Sequence, residues 1–393
     1  MPNEKDIGTV ISSMEGPSPS EMDFVVNKGQ VHRGQFVELD YEEGTLIALV
    51  ENVVKTNRYF ERPESVKEFE KQGTNLFDNF PIGEWEYLVA KTKPLGVFAE
   101  GFARKITFPP SPGVKVRSAS AENLKNFLHF DDNGMLLGSV EHHGLDVKLN
   151  MTKLFQKHLS ILAQSGYGKS HTISVLLEEL LLRQKEHGRI AVVVFDLHGE
   201  YLSFGEVPSP SDKLHKNFSS LTKIVHSRDI NIGVPKLSAG SFRSFIPELS
   251  APQKRELNKI ISKLQNQMRE GLGPYDLADI KSEIIKSEDM SKTTKETMIS
   301  WMYELDELRL FSNIDSPSMN DLIKPGTLTF VNLSDTINEK KRQLIVSYFA
   351  RKLFNDRRNK KIPPFVLVLE EAHNFIPQHS SKHENFARPI FRT

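Results

Sequence analysis

The spacing of apolar positions divides this chain into stretches of different character. Over roughly the first hundred residues, short runs rich in Val, Ile, Phe and Thr ("GTVISS", "DFVVN", "GQFVELDY", "GTLIALVENVV") alternate with Gly, Pro, Ser and Asn turns. Several short strands so spaced predict a small β-barrel or sandwich. A charged interval, "NRYFERPESVKEFEKQGTN", reads as a helical insertion before "EWEYLVAKTKPLGVFA" resumes the strand pattern. The proline-rich "FPPSPG", Phe108 to Gly113, then marks an expected break: residues 1–112 as the barrel, 113–393 as a second domain.

From about residue 134 the pattern becomes strand-then-helix. "LSILA" is predicted as a short buried strand, followed by a glycine-containing loop and the segment "SHTISVLLEELLLRQKEHG". There Ile173, Leu176, Leu177, Leu180 and Leu181 share one helical face, and Gly188 stands where a helix would stop. "RIAVVVFD" reads as a strand apolar on both faces, the habit of parallel strands. Between about 246 and 322 the strands give way to a helical insertion. Its "LSAPQKRELNKIISKLQ" places Ser250 and Gln253 as a capping box, with Leu257, Ile260, Ile261 and Leu264 on one face. A second amphipathic helix turns about Met298, Trp301, Met302 and Leu305, a stripe read as core. Strand "TLTFVNL", helix "NEKKRQLIVSYFARKLFNDRR" and strand "PFVLVLEEAH" restore the alternation, which predicts a doubly wound α/β core.

Composition narrows the picture by exclusion. The chain has 393 residues, 38% hydrophobic and 26% charged, with a formal net charge of zero. Whole-chain electrostatics therefore favour no polyanionic partner, and any nucleic acid needs a local basic surface. One candidate is "ARKLFNDRRNKK", Ala350 to Lys361, which also reads as an ordinary solvated helix face. With no cysteine, disulfides and thiolate zinc sites are impossible. "AVVVF" and "FVLVL" are far too short to span a bilayer, and "MPNEKDIGTV" lacks a signal-peptide core, so a cytoplasmic protein without membrane partners is expected.

The loop "ILAQSGYGKSHT" carries the first chemistry. A phosphate loop curls successive backbone N–H groups around phosphates at the positive end of a helix, so it needs small residues and glycines. Ser165, Gly166, Tyr167 and Gly168 supply the curl; Lys169 would reach β/γ-phosphate oxygens, and Ser170 would offer its hydroxyl to Mg²⁺, with His171 bordering. Ala163 stands where the full pattern wants glycine, which is tolerable if its backbone stays at negative φ. About two hundred residues on, "FVLVL" ends in Glu370 and Glu371. Adjacent carboxylates at the end of a buried strand are costly unless used. In a phosphate-loop enzyme the first holds Mg²⁺ and the second polarises the attacking water, provided the strand ends there. Asp196, His198 and Glu200 of "VVFDLHGEY" fall at a strand's carboxyl end, and His373 and Asn374 follow the glutamates as candidate γ-phosphate sensors.

Taken in order, "AQSGYGKSHT", "FDLHGEY" and "VLEEAHNF", with the helical insertion between the last two, resemble the HerA branch of the HerA–FtsK ATPases. The amino-terminal strands look like that family's HAS barrel. The resemblance implies a RecA-like core behind the barrel and a homo-hexameric ATP- and Mg²⁺-dependent motor. Such a motor threads double-stranded DNA and works with a NurA-type nuclease in DNA-end resection. Carried over by position, Lys169 and Ser170 hold phosphate and Mg²⁺, Glu370 and Glu371 form the acidic pair with Glu371 catalytic, and Asp196 is a further active-site acid. The chain departs from the pattern at Ala163, at Leu197 where the family has proline, and at Lys157, which replaces an arginine reaching a neighbouring subunit's site. The family places more strands, a sensor region and another arginine beyond this point. The chain is thus expected to be a fragment that binds ATP and needs those parts for turnover; Arg388 and Arg392 cannot be matched to that arginine. Two other readings keep the nucleotide site: an ATP-ordered scaffold for a nuclease effector, and a conjugation-type translocation ATPase.

Overall fold

The computed structural model describes residues 6–375, apart from 13–15, 28–29, 58–59, 61–62, 72–85, 210 and 212–215. It divides into two compact units, Met1–Leu159 and Ser160–Thr393.

The first unit is a closed antiparallel barrel. Its strands are β1 (Asp6–Val10), β2 (Met22–Val26), β3 (Phe36–Tyr41), β4 (Gly44–Asn57), β5 (Glu86–Ala99), a short β6 (Phe102–Arg104) and β7 (Lys115–Ser118). The ladder runs β2-β1-β7-β3-β4-β5 and returns from β5 to β2, leaving β6 on the outside. Residues of β5 alternate between buried and exposed, and β4 carries register shifts at Ile47/Ala48 and Val50/Asn52. Such bulges bend a long strand enough to close a ring. Val10, Met22, Phe24, Val37, Leu39, Leu46, Ala90 and Val116 fill the interior. The helix expected in the charged interval is α1 (Pro63–Lys71).

The expected break at 112/113 is displaced. β7 pairs with both β1 and β3, so the barrel cannot close without residues beyond Gly113. The unit continues through α2 (Ala121–Phe127), the hairpin β8 (Met135–Val140) and β9 (Leu145–Leu149), and α3 (Met151–Phe155). Leu124 of α2 packs with Ile47 and Ala119, while Nε2 of His143 accepts the Phe36 N–H at 2.9 Å.

The second unit is α/β. After α4 (Lys169–Leu182), strands β10 (Ala191–Asp196), β11 (Thr222–His226), β14 (Leu328–Asn332) and β15 (Phe365–Leu369) form an all-parallel sheet in the order β11-β14-β10-β15. Every residue of β10 is buried, as its two-sided apolar pattern requires. The two-residue strands β12 (Ile232–Gly233) and β13 (Phe311–Ser312) pair separately. The insertion holds α5 (Ala239–Phe245), α6 (Ala251–Gln267), α7 (Leu277–Lys286), α8 (Lys292–Glu307) and α9 (Met319–Leu322), followed by α10 (Glu339–Arg358). Both arms of the Ser250–Gln253 capping box form at α6. Leu257, Ile261, Met298, Met302 and Leu305 bury in one continuous core with Phe195 and Val331 of the sheet.

One predicted strand is absent. Residues 159–163 carry no ladder; Leu162 is 92% exposed and Leu159 46%. A strand needs a neighbour to take its backbone hydrogen bonds. Among the described residues β15 pairs only with β10, and nothing lies along "LSILA" to complete it.

Candidate active site

The register of the parallel sheet decides which side chains meet. Asp196 stands opposite Asn332, Asn332 opposite His226, and Glu370 follows Leu369, the partner of Phe195. These are the carboxyl ends of four strands, the edge where open α/β sheets bind ligands.

Two buried carboxylates organise this edge. Oδ1 of Asp196 accepts the Gly199 and Glu200 N–H groups at 2.7 and 3.1 Å, and Oδ2 accepts that of Tyr201 at 3.1 Å. Oε2 of Glu370 accepts the N–H groups of Leu197 and His198 at 2.6 and 3.1 Å. The segment "LHGEY" is thereby folded around both acids, with Gly199 at φ +77° making the turn. Leu197 uses an N–H that a proline would lack to bond Glu370. Burial first, and then Asp196 beside it, push the Glu370 carboxyl up to about 7. Asp196, expected as an active-site acid, accepts backbone N–H groups with both oxygens and lies beside Glu370.

Glu371 turns the other way because its backbone does. It sits at φ 45°, ψ 49°, a left-handed conformation that costs a non-glycine residue about 1–2 kcal/mol. β15 has ended at Leu369, so the strand's alternation no longer applies and the adjacent acids diverge. Glu370 faces the "LHGEY" loop, while Oε1 of Glu371 accepts a hydrogen bond from Nζ of Lys169. That bond lowers the Glu371 carboxyl and raises the Lys169 ammonium, the charges of Glu370 and Glu200 adding to the latter. Nδ1 of the exposed His373 lies 3.2 Å from Oε2 of Glu371, and the Asn374 N–H bonds the Glu371 carbonyl at 2.9 Å.

The glycine loop has the geometry its letters imply. Gly166 and Gly168 lie at φ +80° and +82° with open space where a Cβ would project, so conformation requires these glycines. Ala163 is not among the positive-φ residues, and its methyl carries no backbone penalty. Gly168 is the N-cap of α4 and no side chain caps that helix, leaving first-turn N–H groups as anion donors. Ser165, Tyr167 and His171 are exposed, and Ser170 is half-buried. Lys157 is exposed and belongs to the first unit, while Arg388 and Arg392 fall outside the described residues.

Sequence reasoning missed Tyr201, Asn332 and His226. A polar residue closing an apolar strand, as in "LTFVN" and "TKIVH", is the signal that points to the last two.

The donor set fits Mg²⁺ arriving with a nucleotide. Among the described residues no three His, Asp or Glu side chains form a cage of their own. Mg²⁺ keeps waters and phosphate oxygens and takes only one or two protein groups, which the Ser170 hydroxyl and Glu370 can supply. The buried Tyr201 hydroxyl, on which Glu370 and Ser170 act, meets no partner in hydrogen-bond geometry.

A parallel α/β core with this loop, helix and acidic pair, interrupted by a helical insertion and preceded by a small barrel, is a RecA-like P-loop ATPase fold. The sequence model of the family described as "Helicase HerA, central domain" matches residues 134–353, more than half of the chain. The chain belongs to this HerA family. It is 26% identical over 368 residues to a "probable helicase" of Methanocaldococcus jannaschii, covering 88% of this chain and 67% of the relative. It is 25% identical over 402 residues to the "DNA double-strand break repair helicase HerA" of Saccharolobus solfataricus, covering 96% and 73%. Among solved structures it is similar to VirB4 of Thermoanaerobacter pseudethanolicus, with TM-score 0.41 and 16% identity over 62% of this chain and 69% of the other.

Proposed function

We propose that this chain is the subunit of a hexameric, ATP-driven translocase. The assembly moves along double-stranded DNA during end resection and double-strand break repair, beside a NurA-type nuclease in the cytoplasm. The observation that carries the reading is the ion pair of Lys169 with Glu371, two groups 202 positions apart that meet at the mouth of the glycine loop. Family membership and the printed names of the relatives supply the DNA and repair components.

Bound ATP with Mg²⁺ supplies the phosphoanhydride to be cleaved and the cation that neutralises its developing charge. The first-turn N–H groups of α4 bind phosphate oxygens. Lys169 exchanges Glu371 for those oxygens and leaves that carboxylate free to accept a proton from the attacking water. The Ser170 hydroxyl and Glu370 would hold the cation, and Asp196 keeps the "LHGEY" loop folded. The backbone donors of Leu197 and His198 orient the Glu370 carboxylate, with Asp196 beside it.

The test is ATP turnover by the assembled protein with and without duplex DNA. We expect DNA to stimulate turnover and Glu371→Gln to lower it by at least about 10²-fold, the usual scale of a lost general base, while nucleotide binding persists. Binding without stimulation, and an indifferent Glu371→Gln, would instead describe an ATP-ordered scaffold.

A further inference from the structure

Tyr201 lies in the loop between the two buried acids, and the reading above leaves its chemistry unused. It is 1% exposed, and its hydroxyl is a buried donor without a hydrogen-bond partner. Leaving such a group unsatisfied costs about 1–3 kcal/mol, so an acceptor that turns toward it gains by accepting its hydrogen bond.

The ring cannot swing away to find one. The Tyr201 N–H is tied to Oδ2 of Asp196 at 3.1 Å. Its ring lies parallel to Phe330 of β14, with centroids 5.9 Å apart and planes 3° from parallel. Phe204, three residues on, tilts against the same Phe330. Backbone and ring are therefore both fixed. Side chains of the same sheet edge and loop act on the phenol. Burial and then the charge of Glu370 disfavour its ionisation, with Glu200 and Asp196 adding, while the Ser170 side chain, close by but not in hydrogen-bond geometry, opposes them. The first two side chains in effect, Glu370 and Ser170, are those that the site offers to Mg²⁺.

Resting on the proposed nucleotide site, we infer that Tyr201 is a positioning residue that donates its O–H to the Ser170 hydroxyl oxygen when Ser170 ligates the nucleotide-bound cation. Hydrogen-bond capacity closes on Ser170, whose hydroxyl has one donor and two acceptor lone pairs. One lone pair would take the Tyr201 O–H, the other would be left for Mg²⁺, and the Ser170 proton would be available to Glu370. A hydroxyl otherwise free to rotate about its Cβ–Oγ bond is left with one orientation. The unmet bond of the phenol becomes part of the binding free energy of the metal–nucleotide pair.

Tyr201→Phe in the full chain tests this, because it keeps the stack on Phe330 and removes only the hydroxyl. Affinity for ADP is measured with Mg²⁺ and with EDTA, beside a thermal melt without nucleotide. We expect Mg²⁺-dependent affinity to fall by about tenfold, the value of one hydrogen bond, with the EDTA value within about twofold. The melting temperature without nucleotide should hold or rise, since an orphaned donor is gone. Ser170→Ala should remove the same Mg²⁺-dependent component, with Tyr201→Phe adding nothing on top of it. Equal losses with and without metal, a lowered melting temperature, or additive effects of the two substitutions would overturn the inference. If the unmodified chain binds ADP, Lys169→Ala abolishes that binding and Tyr201→Phe changes nothing, this inference falls alone. If the unmodified chain ignores nucleotide, the site reading falls with it.

Discussion

Single residues in the glycine loop differ in what they require of the backbone. Ala163 lies outside the left-handed region and is exposed, so a Cβ there meets no penalty. Gly168 lies at φ +82°, where a Cβ costs about 1–2 kcal/mol. Ala163→Gly is therefore expected to leave nucleotide affinity within about twofold, and Gly168→Ala to weaken it by roughly tenfold. Titration with a fluorescent ADP analogue measures both; a large gain from Ala163→Gly would mean the alanine does impair the loop. Glu371 shows the opposite case, a non-glycine residue held at positive φ so that two neighbouring acids can serve two different partners. Strain of this kind persists where the surrounding structure over-determines it. Here the ion pair with Lys169 and the bond from Asn374 do so.

At the level of elements, helix caps and one histidine bond carry measurable consequences. The Ser250 hydroxyl accepts the Gln253 N–H, and the Gln253 side chain accepts the Ser250 N–H in return. Ser250→Ala is expected to cost about 1 kcal/mol in chemical denaturation, while Leu257→Ala beneath it costs about 2–5 kcal/mol by leaving a cavity. In the barrel unit His143 joins the β8–β9 hairpin to β3: Nε2 accepts the Phe36 N–H, so the ring must be neutral there, with Nδ1 3.2 Å from the Ala119 carbonyl. Burial, helped by neighbouring His142, lowers its pKa below the ordinary 6.5. The folded state thus binds fewer protons than the unfolded chain. The contribution of this bond is whole above about pH 6.5 and declines as pH falls from there toward the lowered folded value. Thermal melts between pH 7.5 and 5.5 should show a smaller acid-induced drop for His143→Gln than for the unmodified chain, in the roughly 6.5-to-acid window set by that shift. Parallel curves would mean that His143 does not set the acid response.

The whole molecule is electrically neutral, and that shapes how it can engage DNA. With 51 basic and 51 acidic residues, attraction to a polyanion must come from a local cluster of basic side chains. Arg357, Arg358, Lys360 and Lys361 are exposed at the end of α10 and just beyond it. Duplex binding by the assembled protein is expected to weaken steeply with salt, because each neutralised phosphate releases counterions. Replacing these four residues by alanine should reduce the slope of log affinity against log salt by up to about 0.9 for each phosphate no longer neutralised. A slope flat from low to moderate salt would argue against threading of DNA. Among the described residues no helix is long and apolar enough to cross a membrane.

Much of this architecture could be read along the chain because it depends on local pattern. The period-two runs of the barrel, the Ser250–Gln253 cap, the Leu257 and Met298 faces, and the doubly apolar "AVVVF" each state a burial pattern in their own letters, and each is met. Pairing between distant segments is not written locally. "LSILA" has the composition of a buried strand but no neighbouring ladder among the described residues, and the barrel closes only through β7, past the proline-rich turn. The acids show the same division. That Glu370 and Glu371 end a strand follows from the sequence. That one bonds the backbone of Leu197 and His198 while the other bonds Lys169 follows from parallel register and one left-handed residue. Side-chain type is fixed by the gene, but which groups share a proton, a cation or an unmet hydrogen bond depends on distances that only the folded sheet brings down to a few ångströms.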